Sequence, residues 1–334
     1  MSTPRMMLVF VSLLSVLLAA LPHLVWVVCR LVARIGGHTV PYAPFAWTVA
    51  GSLVLLWAVM AYGYFIGRWR LAVVEVPYEN AEVPPAFDGF RIVHISDLHL
   101  STFDDNPGQL RRFVDAINGC RPDLICFTGD LVTMGRAEAE PYAATLRSLN
   151  ARYGVVSVLG NHDFLIYEPS LAADDSARAA AVEELAAFER EELGWRLLRD
   201  AHWEITAADG SKITIIGVDN KNCSNQGFRT VDAGNLDKAM AGTDGFRILL
   251  SHDPSHWDAE VLPRTDIPLT LSGHTHAAQI RLFGWTPAAI TFLHTDGRYD
   301  EGGQTLYVNV GLGCTAPFRL GANPEVTVIT LNQK

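Results

Sequence analysis

An α/β sandwich carried behind two apolar helices is the fold this sequence predicts, and three observations predict it. Short apolar runs that read as buried strands alternate with helical stretches, the pattern of a parallel sheet with crossover connections. Polar clusters stand directly behind five of those runs, where open α/β sheets place their ligands. Before Arg68 the chain holds two long apolar runs and few charges.

Met6–Val28 and Phe45–Gly67 are each long enough to cross a hydrocarbon core about 30 Å thick. Residues 1–70 therefore read as a membrane anchor with spans near 6–28 and 45–67. For the first run the alternative is a secretory h-region after Arg5, with Ala19-Ala20 near a cleavage site. Arg5, the amino terminus, Arg68 and Arg70 outweigh Arg30 and Arg34 of the connecting loop, which turns the remainder of the chain towards the cytoplasm. Trp26, Trp47, Trp57 and Trp69 fit an aromatic belt or lipid-facing packing. Residues 71–90, with Pro77, Pro84 and Pro85, read as an extended linker.

The remainder, 91–334, opens on a βαβαβ half. Strand Arg91–Ser96 precedes a helix near Pro107–Asn118; strand Asp123–Thr128 precedes a helix near Ala137–Arg152; strand Gly154–Leu159 completes it. Ala172–Leu193 is rich in Ala and Glu and reads as an amphipathic helix. His202–Thr206 and Lys212–Val218 flank the turn Ala208-Asp209-Gly210 as a hairpin. Strands Phe246–Ser251, Pro268–Ser272, Leu306–Gly311 and Val326–Leu331 complete a two-sheet sandwich with its polar clusters at one rim.

Composition narrows the function. The chain is 49% hydrophobic and 19% charged, rich in apolar residues for a soluble enzyme, with the surplus concentrated before Arg68. A net charge of −10 gives no electrostatic case for a nucleic-acid partner. Cys29, Cys120, Cys126, Cys223 and Cys314 are scattered and lack CxxC spacing, which argues against a disulfide scaffold or a thiolate metal site.

The clusters carry the chemistry. They read Asp97-Leu98-His99, Gly129-Asp130, Gly160-Asn161-His162-Asp163, Ser251-His252 and Gly273-His274-Thr275-His276. Together they offer a bridging carboxylate, a second carboxylate, an amide oxygen and four imidazoles, a ligand set for two adjacent divalent metals. Asp97 and His99 project to one side if their strand continues, although an isolated pair of this kind also fits a strand-to-loop cap.

In order, these clusters match DxH…GD…GNH(D/E)…H…GHxH, and from roughly Phe87 onward the chain resembles the calcineurin-like metallophosphoesterases. Phe87–Phe103, the stretch from Gly273, and the stretch from Tyr307 to Leu331 are more narrowly similar to a membrane-anchored bacterial branch. That branch contains YkuE-type phosphodiesterases and UDP-2,3-diacylglucosamine pyrophosphatases. The resemblance implies a four-layer αββα fold and two divalent ions, Mn, Fe or Zn. It assigns Asp97, His99 and His276 to the first ion, Asn161, His252 and His274 to the second, and Asp130 to the bridge. It makes His162 the candidate general acid or phosphate donor, with a loop-ordering histidine as the alternative. Asp163 is either a group that orients a ligand or a loop cap.

Two positions depart from the family pattern. Thr133 stands where a carboxylate pairs with the histidine, and a threonine cannot stabilise an imidazolium by charge. Ala277-Ala278 stand where relatives often carry two glycines, which narrows backbone freedom.

By this resemblance the chain is a membrane-bound phosphoesterase using metal-activated water on a phosphodiester or pyrophosphate. The expected substrate is lipid-linked, such as UDP-2,3-diacylglucosamine of lipid A biosynthesis, and the expected place a bacterial inner membrane, multi-pass. The alternatives are a broad phosphodiesterase on envelope phospholipid or polymer, and a metal-binding pseudo-enzyme serving as an interaction module. Expected partners are the bilayer and a phosphorylated or nucleotide-linked lipid, the latter in an apolar groove lined from the insert Leu165–Leu198. Arg281, Arg298 and Arg319 are candidate phosphate clamps, with surface solvation the alternative. His23, His38, His94, His202, His256 and His294 read as structural or surface residues.

Overall fold

The computed structural model describes residues 3–334, with side chains from Met7 onward. The Arg5 side chain and the amino terminus, used above for orientation, lie outside the described residues. The chain divides into two compact units, Met1–Arg68 with Ala316–Leu320, and Trp69–Thr315 with Gly321–Lys334.

The first unit contains helix α1 (Thr3–Ile35) and helix α2 (Ala43–Phe65), both long and apolar enough to cross a membrane. Leu13, Val16, Trp47 and Val54 are exposed along them, unlike the buried face of a core helix in a soluble protein. Trp26 Nε1 donates to Val40 O at 3.2 Å and its ring stands edge-on to Tyr42 at 4.8 Å, closing the turn between the helices. Segment Ala316–Leu320 packs on α2 where Gly63 leaves room, since a Cβ there would lie 2.1 Å from the Phe318 ring.

In the second unit two six-stranded sheets face each other. One has the order β1 (Ala72–Asn80), β12 (Glu325–Gln333), β2 (Arg91–Ile95), β3 (Leu124–Phe127), β4 (Val155–Ser157), β5 (Arg196–Leu197). The other runs β10 (Gly297–Glu301), β11 (Gln304–Val308), β9 (Leu269–Ser272), β8 (Phe246–Leu250), β7 (Lys212–Gly217), β6 (Ala201–Thr206). Ile92, Leu124, Cys126 and Val156 of the first meet Ile213, Ile215, Ile248 and Leu271 of the second in a shared core. The outer face of the first sheet packs under helix α3 (Pro107–Gly119), with Val93, Ile125 and Phe127 against Phe113 and Ile117. Ile216, Leu249 and Val308 on the outer face of the second pack on Leu236, Trp257 and Val261. The result is four layers, as expected.

Three expectations are corrected. Residues 71–90 are not a linker: β1 pairs in parallel with β12 from Ala72↔Glu325 to Asn80↔Gln333. Tyr78, Val83, Phe87 and Phe90 are buried in the inter-sheet core, and apolar area of that size is not left in solvent. Trp69 likewise is not a belt residue, because it packs on Phe103 and Phe113 at 5.8 and 6.5 Å between ring centroids. The helix expected over 137–152 is broken into short turns ending in α4 (Ala143–Leu146), since Pro141 lacks the N–H a continuous helix needs.

The insert also behaves differently from expectation. Helix α5 (Asp175–Ala187) is capped by Asp174, whose carboxylate accepts from the Ala177 N–H at 2.9 Å. Its apolar side chains Val182, Leu185 and Ala186 are buried with Leu165, Phe188 and Trp195 in the core under the first sheet. They therefore do not line the expected groove.

Candidate metal centre

Parallel strands β2, β3 and β4 of one sheet and β8 and β9 of the other end at the same rim, and each delivers one polar cluster there. The loops are tied to one another. Asp97 N–H donates to Gly129 O, His99 N–H to Asp130 O and Gly273 N–H to His252 O, at 2.9 to 3.1 Å. The motif glycines permit this approach: a Cβ on Gly273 would lie 1.9 Å from Ser96 Oγ, and one on Gly160 2.2 Å from Asp130 Oδ1. Asp97, His99, Asp130, His274 and His276 all hold φ between 39° and 74°, in the left-handed region. Non-glycine residues are uncommon there, and such outliers cluster at functional sites.

Seven side chains converge with donor atoms facing donor atoms. His99 Nε2 lies 3.1 Å from His276 Nε2, and His276 Nε2 3.2 Å from Asp97 Oδ1. On the other side His252 Nε2 lies 3.1 Å from Asn161 Oδ1 and 3.2 Å from His274 Nδ1. Asp130 Oδ2 stands between the halves, 3.6 Å from His99 Nε2 and 3.2 Å from His252 Nε2. Its other oxygen accepts the His162 N–H at 2.8 Å.

These separations fit cations. Ligand bonds of about 2.1 Å place neighbouring donors about 3.0 to 3.4 Å apart in octahedral or tetrahedral shells. The donor set fits too, because imidazole, carboxylate and amide oxygen suit Mn, Fe or Zn. The described residues form the groups Asp97/His99/His276 and Asp130/His252/His274, either of which could hold an ion, and a third, His99/Asp130/His162.

Outer contacts fix the tautomers. His252 Nδ1 donates to Thr128 O at 2.6 Å, turning Nε2 to the cluster, and His274 Nε2 donates to Gln226 Oε1 at 2.8 Å, leaving Nδ1 bare. Gln226 Nε2 is in turn held by Asp253 Oδ2 at 2.6 Å. Asn161 Nδ2 donates to Tyr167 OH at 3.1 Å, which turns Oδ1 inward. Sequence reasoning missed Thr128, Gln226, Asp253 and Tyr167. Asp253 carried a signal, since it directly follows His252; the others carried none.

Charge balance favours a cation. Burial alone would raise Asp97 and Asp130, but His276 beside the first and His252 beside the second hold both carboxyls below the usual range. Burial pushes His99 and His274 down, keeping them neutral. Burial also opposes a proton on His252, yet the Asp130 carboxylate holds it up at about 10, so binding a cation there displaces a proton.

The remaining sequence candidates fall as follows. Asp163 reaches no donor of the cluster; its buried carboxylate accepts the N–H groups of Asp130, Leu131, Val132 and Gly160 and so shapes the loop that carries Asp130. His162 lies between His99 and Tyr167, at ring distances of 4.7 and 4.4 Å. Its Nδ1 donates to Thr133 O at 2.8 Å, while Thr133 Oγ1 turns away to Ser101 Oγ at 2.9 Å. The expected side-chain partnership of Thr133 with His162 is therefore a backbone one. Arg281 pairs with Asp296 and Arg298 with Asp300, and Arg319 is fully buried, so these three do not form a clamp. His94, His202 and His294 are bonded within the fold, as expected, to Thr128, Ala239 and Asp258.

Comparison with known proteins agrees with this geometry. The calcineurin-like phosphoesterase family model matches residues 90–278. The Bacillus subtilis metallophosphoesterase YkuE is 35% identical over 86% of this chain and 94% of its own length. A Danio rerio protein described as a transmembrane protein with a metallophosphoesterase domain is 28% identical over 90% of this chain, which spans only 66% of that protein. A Chlamydia trachomatis UDP-2,3-diacylglucosamine pyrophosphatase is 27% identical over 84% of this chain and 94% of its own length. Among solved structures, a dimetal phosphatase from Danio rerio aligns at 15% identity over 69% of this chain and 90% of its own, with a TM-score of 0.39, too loose to argue from.

Proposed function

Because this chain belongs to the calcineurin-like phosphoesterase family, we propose that it is a membrane-bound, dinuclear-metal hydrolase of a lipid-linked phosphodiester or pyrophosphate. The observation that carries the reading is Asp130 Oδ2 standing between two converging sets of donor atoms. In this reading Asp97, His99 and His276 hold one ion, Asn161, His252 and His274 the other, and Asp130 bridges. Two such ions lower the pKa of a shared water and neutralise charge growing on phosphoryl oxygens. His162, with Nδ1–H fixed by Thr133 O, exchanges its proton at Nε2 alone and acts as general acid or as donor to a phosphate oxygen.

The lipid-linked substrate is supported by the two apolar helices and by the activity for which the Chlamydia relative is named, which points to UDP-2,3-diacylglucosamine. Both helices are read as spans, with the hydrolytic unit on the cytoplasmic side. The test is full-length protein in detergent micelles, assayed for metal and for turnover of the acylated UDP-sugar, its deacylated analogue and bis-p-nitrophenyl phosphate. Expected are two Mn, Fe or Zn ions per chain, a far higher kcat/KM for the acylated sugar, and loss of activity by orders of magnitude in Asp130→Asn with metal below stoichiometry. Full activity and full metal in Asp130→Asn would remove the bridging role. Equal kcat/KM for the two sugars would leave a broad phosphodiesterase, and metal without any turnover an interaction module.

A further inference from the structure

Eight large apolar side chains are exposed between Trp69 and the C-terminus, and five of them, Leu282, Phe283, Trp285, Ile290 and Leu293, fall within twelve residues. A soluble surface seldom concentrates apolar groups in this way. The stretch, called the finger below, joins a tight turn to the short helix Pro287–Ile290. Leu282 N–H donates to Trp285 O at 2.9 Å and Trp285 N–H to Leu282 O at 3.0 Å, so Phe283 and Gly284 make a two-residue turn. Both hold positive φ, 52° and 82°, a conformation that favours Asn-Gly. A bulky aromatic there is an outlier, and it is fully exposed, so no packing within the fold accounts for it.

We propose that this finger inserts into the headgroup and acyl boundary of a lipid bilayer. Three observations select lipid over a protein partner. The chain has a net charge of −10, yet no Asp or Glu occurs from Leu282 to Thr295, and the nearest carboxylates, Asp258 and Asp296, are paired with His294 and Arg281. Phe, Trp, Ile and Leu at the tip are the side chains that partition into that boundary. Only Ile66, Gly67 and Arg68 separate the end of α2 from Trp69, a tether of at most about 14 Å.

The base of the finger is stiff. Thr286 Oγ1 donates to Ala277 O, Thr275 Oγ1 to Thr295 O, and Arg281 pairs with Asp296. The Phe292 ring stands edge-on to His274 at 5.5 Å. Insertion would therefore fix the depth of the metal centre beside the membrane. The proposal rests on the exposed finger and on α2 as a membrane span, and holds whichever phosphoester is cleaved.

The test uses the full chain in nanodiscs of phosphatidylcholine and phosphatidylglycerol, with the exposed Cys29 replaced by Ser. A nitroxide is attached in Phe283→Cys or Ile290→Cys, with Asp209→Cys on the exposed β6–β7 turn as the aqueous control. Accessibility to oxygen and to a water-soluble nickel chelate is read by power saturation, and an unchanged Tm verifies the fold of each variant. The expected result is a several-fold higher oxygen-to-nickel ratio at 283 and 290 than at 209. Nickel accessibility equal to that at 209 would overturn the proposal. A label shielded from both reagents would overturn it in favour of contact with protein, such as a second copy of the chain.

Discussion

Thr133 shows how one side chain decides what a neighbour can do. Its carbonyl fixes the His162 tautomer without adding charge, while its hydroxyl leans towards His99 Nδ1 at 3.5 Å. His162→Ala should then lower kcat by a general-acid factor of about 10²–10⁴ with metal content unchanged. Thr133→Asp should act through His99, shifting metal affinity by about 10–100-fold and leaving the alkaline limb of the pH–rate profile in place. A moved limb at constant affinity would contradict this. Ala278 is the second case: it is exposed and held at φ 47°, where a residue with a Cβ costs roughly 1–2 kcal/mol. Glycine at that position gives back about 0.5–1 kcal/mol in chain entropy, so Ala278→Gly should stabilise by up to about 1 kcal/mol. A fall in Tm on calorimetry of the metal-loaded protein would refute it.

At the scale of elements, the end of α5 widens into a turn in which the Leu193 N–H reaches back to Phe188 O. That turn buries Glu189, whose Oε2 accepts from Ser157 Oγ at 2.6 Å. Burial, and then the Asp163 carboxylate, push the Glu189 carboxyl well above its usual range. Because the folded pKa is the higher one, the cost is absent below the unfolded carboxylate range and grows as pH rises above it. Glu189→Gln should therefore raise Tm by an amount that increases from pH 5 to pH 8, and parallel curves of Tm against pH would show that the carboxyl titrates alike in the folded and the unfolded chain. Strands such as Arg91–Ile95 and Phe246–Leu250 were legible because both of their faces are buried and the sequence runs continuously apolar. β1 was not, because its alternate exposure and Pro77 imitate a linker. Six of the seven candidate ligands were legible because each stands with a glycine or a second candidate in a short motif, and His252 because it closely follows the apolar strand Phe246–Leu250. Gln226 and Tyr167 reach the site by folding alone, and no local pattern marks them.

Across the whole molecule, the parallel pairing of β1 with β12 makes residues 72–80 part of the hydrolytic unit. A chain beginning at Trp69 should keep the Tm of the full-length domain. One beginning at Phe90 loses Tyr78, Val83 and Phe87 from the core, at about 1.5–3 kcal/mol each, and leaves the β12 edge open. It should unfold at lower temperature or aggregate, and equal Tm values for the two would show β1 to be dispensable. The same pairing joins two segments made far apart in time. β1 leaves the ribosome directly behind α2, while β12 follows every other strand of both sheets. About 250 residues separate the partners, so at roughly 5–20 residues per second β1 waits about 10–50 s for its neighbour. During that interval the two apolar helices can already be in place while β1 has no partner, so the sheet they lead into closes at its β1 edge only once Glu325–Gln333 has been made.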